Sequence, residues 1–354
     1  MGIKVPKINV YRKIKRFIRS NPLIRDTVCL IGAFETDKNT NTPVSFNTIE
    51  EARTEYGTNT SIDANACLEQ ILGDNTVDNV IIVNTTTKDG STYDRTLTKA
   101  KLQTAVEALD LIDFDILYIA NELTDTNLEV ITDFAAERFE NKKPFGFITA
   151  FTRASNTAYG TTSGLLGDFC YASVIQRLTV NQDELSLLES GAYITKVISQ
   201  LNINESLTAK TIPEITGINS SDVFTFETGG DGETLTEYGY LLFRLINATT
   251  NTYEAVNSSN PNGLDLYITR VTNAIVNDMA LREFLGEINN TKTLELIKTE
   301  LNRIYSMYMD LNCIAGMNFD VNKKSEQTVE VIINSILFDD IITEIDVYIT
   351  IEVE

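Results

Sequence analysis

The chain has 354 residues, more than a single hydrophobic core usually holds, so two domains are expected. An apolar share of 43% with 22% charged residues excludes general disorder, and the absence of histidine removes the group most used for acid-base work near neutral pH, for nucleophile activation and for transition-metal sites. A net charge of −21 makes nucleic acid a poor partner for the body of the protein, because phosphate binding needs clustered Lys and Arg.

The charge is unevenly placed. Residues 1–25 carry eight basic groups (Lys4, Lys7, Arg12, Lys13, Lys15, Arg16, Arg19 and Arg25) and no acid, whereas residues 325–354 carry eight acids and no base. Ile3, Val5, Ile8 and Val10 alternate in part as a strand does, and the period then changes. Val10, Ile14, Phe17 and Ile18 stand at i, i+4, i+7 and i+8, one face of a helix, with Arg12, Lys13 and Arg16 on the remainder, and Asn21-Pro22 ends it. This segment, 1–22, is too short and too charged for a core of its own and reads as an arm that lies on something else. Fully extended it spans at most ~70 Å at ~3.3 Å per residue, enough to reach an adjacent molecule. A short basic amphipathic stretch can also touch an anionic membrane surface, but one such segment is a weak anchor, and no direct membrane binding is expected.

From Leu23 the pattern is globular. Val28 to Phe34 reads as a buried strand, with a short strand near Val44 and a helix through Ile49, Ala52 and Tyr56 capped by Asn47. Ala64 to Leu72 is a second helix. Strands follow at Asn79 to Val83, Phe114 to Ala120 and Pro144 to Phe151, with helices at Thr98 to Leu109 and Asn127 to Phe139 between them. Val- and Ile-rich strands interleaved with helices imply βαβ units, so the fold class is α/β with a largely parallel sheet, assigned to residues 23–236 with an outer part at roughly 85–218. Glu184 to Leu201 reads as a long amphipathic helix, and Thr211 to Thr236, polar and Gly-rich, as loop. An α+β C-terminal domain is assigned to 237–354: paired strands in Tyr238 to Val256, helices at Leu264 to Leu285 and Leu294 to Leu311, and strands at Phe319 to Val321, Thr328 to Ile333 and Ile345 to Val353.

The last ten residues alternate strictly, with Ile345, Val347, Ile349, Ile351 and Val353 on one face. Such a strand is either an ordinary member of its own domain's sheet or an edge that accepts a strand from another chain.

Chemistry has little to stand on. There is no Gly-x-x-x-x-Gly-Lys-Ser/Thr loop and no Gly-x-Gly-x-x-Gly after a strand. Gly229-Gly230-Asp231-Gly232 reads as a turn. Asp113 with Asp115, and Asp339 with Asp340, read as solvated carboxylates rather than a divalent-cation site. The four cysteines, Cys29, Cys67, Cys170 and Cys313, have no metal-ligand spacing and read as small core residues of a reducing compartment. No cofactor and no catalytic group is expected. With no apolar span and no signal peptide, the chain is expected to stay in the compartment that made it.

Three stretches resemble the tail sheath family of contractile phages and R-type bacteriocins. They are NPLIRDTVCLIGAFETDKNTNTPVSFNTIEEARTEYG (Asn21 to Gly57), RVTNAIVNDMALREFLGEINNT (Arg270 to Thr291) and ILFDDIITEIDVYITIEVE (Ile336 to Glu354). The resemblance implies a structural subunit that stacks with copies of itself, in hexameric rings, around an inner tail tube protein and meets baseplate and tail-terminator proteins. It implies assembly in the bacterial cytoplasm and release in a particle. It also implies that the arm of one subunit, through Ile3, Val5, Ile8, Val10, Arg12, Lys13 and Arg16, joins a neighbour's sheet containing the strand 345–354, basic arm against acidic end. The competing readings are a soluble α/β enzyme using carboxylates and Mg²⁺, and another self-assembling shell or surface-layer protein.

Overall fold

Unbroken aliphatic runs such as VCLIG and VIIVN suit strands covered on both faces, and that is where the chain places them. The computed structural model describes residues 26–74, 76–279, 291–325 and 328–338. The arm 1–22 and the strand 345–354, with all twelve linker residues named above, lie outside the described residues, as do Asp339 and Asp340.

In chain order the elements are β1 (Val28–Gly32), β2 (Val44–Phe46), α1 (Ile49–Tyr56), α2 (Asp63–Leu72), β3 (Val80–Asn84), β4 (Thr87–Asp89), β5 (Thr92–Asp94), α3 (Lys99–Glu107), β6 (Ile116–Ile119), α4 (Asp125–Glu140), β7 (Gly146–Ala150), α5 (Asn156–Leu166), β8 (Cys170–Val174), β9 (Leu178–Val180), β10 (Asp183–Glu184) and α6 (Leu187–Gln200). They continue with β11 (Ile215–Ile218), α7 (Asp231–Glu237), β12 (Phe243–Asn247), β13 (Thr252–Ala255), α8 (Leu266–Asp278), α9 (Thr291–Asp310), β14 (Gly316–Ser325) and β15 (Thr328–Leu337).

Six strands form one sheet in the order β2-β3-β1-β6-β7-β8, in which β2 is antiparallel to β3 and every other pair is parallel. The two faces are read off alternate residues of the same strand. Val28 and Leu30 of β1, with Ile116 and Tyr118 of β6, bury against Ile49, Leu68, Ile71, Ile194 and Ile198 of α1, α2 and α6. Cys29, Ile31, Leu117 and Ile119 bury on the opposite face against Leu102, Val106, Leu128 and Ile131 of α3 and α4. The expected α/β class with a largely parallel sheet is therefore the observed one.

Helix starts are chemically marked. Ser186 and Glu189 form a capping box at α6, and Thr124 caps α4. α6 lies close on the sheet because Gly191 has no side chain there: a Cβ would stand 2.6 Å from the Tyr118 hydroxyl and 2.7 Å from the Ala150 methyl. Tyr118 in turn donates to the Leu188 carbonyl at 2.5 Å.

Several sequence expectations need correction. The cap of α1 is Thr48, whose hydroxyl accepts from the Glu51 amide; Asn47 lies one residue too early. The stretch Thr211 to Thr236 is not all loop: it contains β11, which pairs with β9, and most of α7, whose Leu235 is fully buried. Gly230 stands at the N-terminus of that helix. α5 and β8 had no counterpart in the sequence reading, although β8 closes one edge of the main sheet.

A third core is separate from the two that flank the sheet. Tyr267, Val271 and Ile275 of α8 meet Ile297, Leu301, Ile304 and Tyr308 of α9, together with Ile203, Cys313 and Ile314. One face of the β14–β15 ribbon, with Phe319, Val321, Val331 and Ile333, packs against this helix pair.

Candidate functional site

In open parallel sheets the ligand crevice lies beyond the C-terminal ends of the strands, where strand order reverses. Here that point falls at β1, whose neighbours are β3 and β6. It is filled by the chain itself. A Cβ on Gly32 would lie 2.7 Å from the Ala64 methyl and 3.2 Å from that of Ala120, so helix and strand already touch there. The backbone that would cradle a phosphate is also engaged. Asn84 Oδ1 accepts from the amides of Phe34 (3.3 Å) and Thr86 (2.9 Å), and Asn84 Nδ2 donates to the carbonyls of Thr36 and Lys38. The Thr86 hydroxyl and Arg95 Nε both donate to the Phe34 carbonyl.

Of the carboxylates and thiols considered from sequence, Asp115 and the four cysteines serve the fold. Asp115 Oδ2 accepts from the Thr27 amide at 2.9 Å, fixing the chain as it enters β1. All four cysteines are free and buried. Burial pushes the Cys170 thiol up to about 12 and the Cys313 thiol up to about 11, which keeps both protonated and unreactive at neutral pH. Among the described residues no cluster of three or more His, Cys, Asp or Glu side chains is arranged to hold a metal, and no helix is long and apolar enough to cross a membrane.

The dense polar chemistry lies instead at the opposite end of the sheet, where α8 meets it. Asp265 caps α8 through the Tyr267 amide (2.9 Å), and its other oxygen accepts from Ser206 and Thr208 (both 2.8 Å) and Ser258 (3.2 Å). Further along the helix, Arg270 is 3% exposed and forms an ion pair with Asp26, 6% exposed, at 2.7 Å. The same guanidinium donates to the carbonyls of Asn202 (3.0 Å) and Leu201 (3.1 Å). Asn273 then donates to the Tyr171 hydroxyl at 3.1 Å, a phenol whose ionisation burial pushes far above its usual range. α8 is thus fastened to the sheet and to the segment that follows α6 by polar bonds that need particular partners.

Beyond this seam stands the ribbon. β14 and β15 pair from Gly316↔Leu337 to Ser325↔Thr328, with bulges after Asn318 and after Lys323, and no third strand joins either edge among the described residues. Its inward residues are only partly buried, while Ile332 and Leu337 are 41% and 60% exposed. A two-stranded ribbon with apolar residues on its open side is marginal by itself and is a template for further pairing. The sequence reading found both strands but not the seam: Arg270 opens one of the quoted stretches, yet its partner lies 244 positions away, and nothing local marks the pair.

The fold, a doubly covered α/β sheet with a helix pair and a ribbon, is similar to that of solved tail sheath proteins, as the resemblance implied. No family model and no curated protein sequence matches the chain. Among solved structures, it is similar to the sheath tail protein of Desulfitobacterium hafniense (TM-score 0.63, 12% identity, 85% of this chain and 91% of that one). It is also similar to a chain of the anti-feeding prophage baseplate, 6-fold symmetrised (TM-score 0.67, 10% identity, 94% of each chain). A third likeness is to the anti-feeding prophage helical sheath in the contracted state, at TM-score 0.65 and 12% identity over 98% of this chain and 99% of that one.

Proposed function

We propose that this chain is the structural subunit of a contractile tail sheath. It polymerises around an inner tube and shortens from a metastable extended state to drive the tube through a target cell envelope, with no catalytic step. The observation that carries this reading is likeness along nearly the whole chain, in both directions, to a sheath described in its contracted state. The open ribbon supports it physically: a head-to-tail contact that does not close on itself generates an open helix, and an unpaired strand edge makes such a contact.

In this reading the arm 1–22 of one subunit, with Ile3, Val5, Ile8, Val10, Arg12, Lys13 and Arg16, adds to a neighbour's sheet made of the β14–β15 ribbon and the strand carrying Ile345, Val347, Ile349, Ile351 and Val353. The partners are further copies in stacked hexameric rings, the tube, the baseplate and a terminator. Energy for shortening is held in subunit packing.

The test is negative-stain electron microscopy of the purified chain beside a variant lacking residues 1–22, at matched concentration. Striated tubes from the full chain that vanish on deletion are the expected result. Small monodisperse particles from both, even with tube and baseplate proteins supplied, would remove the self-assembly reading.

A further inference from the structure

The seam holds a feature that neither folding nor assembly has yet accounted for. The Arg270 guanidinium donates through both terminal nitrogens, but its Nε–H is fully buried without a hydrogen-bond partner. Buried donors are rarely left so, because each forfeits its hydration for nothing. Beside it lies a cavity of about 20 Å³, whose polar lining is Asp26, Asp115, Tyr171, Arg270, Asn273 and Asn277.

We propose that this cavity binds one water molecule, which accepts from Arg270 Nε and donates to acceptors of the lining, as a fixed component of the joint between the sheet and α8. Volume and charge select the ligand. About 15 Å³ is the least that admits a water, so the space has room for one. A metal or ammonium cation would face the Arg270 guanidinium, and a halide would face the Asp26 and Asp115 carboxylates. A neutral dipole that accepts once and donates twice satisfies both sides, and bound waters with two to four polar partners are as much part of a fold as side chains. The assignment does not depend on the sheath reading: it concerns how one subunit is held together. It makes Asp26, four residues beyond the arm, doubly tied to α8, once directly and once through solvent.

The test is an experimental map of the full chain at a resolution that shows waters, with the Ala274→Val and Ala274→Ser variants alongside, since Ala274 lines the cavity. The expected result is a peak within hydrogen-bond distance of Arg270 Nε. Ala274→Val should lose that peak and melt several degrees lower, while Ala274→Ser, whose hydroxyl stands in for the water, melts with the parent. An empty cavity, a peak whose height follows the salt used, or an Ala274→Val variant melting at or above the parent would overturn the proposal.

Discussion

The parallel sheet and the β14–β15 ribbon solve the same problem in opposite ways. Every residue of β1, β3, β6, β7 and β8 is buried, because helices cover both faces of the sheet. Among the described residues the ribbon is covered on one side only: Phe319, Val321, Val331 and Ile333 face α8 and α9, while Asp320, Ile332 and Asn334 face outward. The sheet needs no other molecule to be complete. Under the proposed function, the ribbon is where this chain meets its neighbours.

Cutting the joint between the two regions should have the largest effect. Arg270→Ala breaks the buried ion pair with Asp26, a change that costs about 3–5 kcal/mol. In urea the single transition should move to lower denaturant and split in two, with near-ultraviolet and far-ultraviolet signals no longer coincident; coincident curves at the parent midpoint would show that the regions do not depend on Arg270. A smaller effect on the isolated subunit is expected from Ile332→Lys on the open face. Monomer stability should change by less than about 0.5 kcal/mol, the range for surface substitutions, while sedimentation of polymer should drop sharply. Polymer yield equal to the parent would mean that this face is not a meeting surface.

The smallest effect belongs to the outer rim of the sheet region. Lys101 holds the Asp94 carboxyl down to about 2, with the Thr96 amide helping. A depressed folded-state value means the contribution is fully present above about pH 4 and is lost as pH falls towards 2. Asp94 is half exposed, so stability should barely respond. Lys101→Ala should instead raise the Asp94 titration midpoint in a carboxyl-resolved NMR titration, and an unmoved midpoint would assign the shift to the backbone amide alone.

The sheet was largely legible because its strands are continuous apolar runs and its helices carry one apolar stripe each. Where local chemistry was ambiguous, tertiary packing decided. α5 reads NTAYGTTSGLL, with two glycines and four Ser or Thr residues, and is helical because Tyr159, Thr162 and Leu166 are buried and Gly160 sits against the Tyr238 ring. α7 offers a single apolar residue, Leu235, to announce itself. The seam was illegible for a different reason: hydroxyls, two carboxylates and an arginine scattered over positions 26 to 273 acquire meaning only once the sheet brings them together.

The placement of Asp26 has a mechanical consequence. It precedes β1, the strand held between β3 and β6 by parallel ladders on both sides. A load applied through the preceding residues therefore pulls β1 along its own axis, in shear, where evenly spaced hydrogen bonds on two edges must yield together instead of opening one after another like a zip. Before that load reaches the strand it meets the Arg270 bond and the Asp26 amide bond to the Ser199 carbonyl. In the proposed lattice, where subunits are linked through the arm, the chain is anchored for tension at the place where it would be tugged.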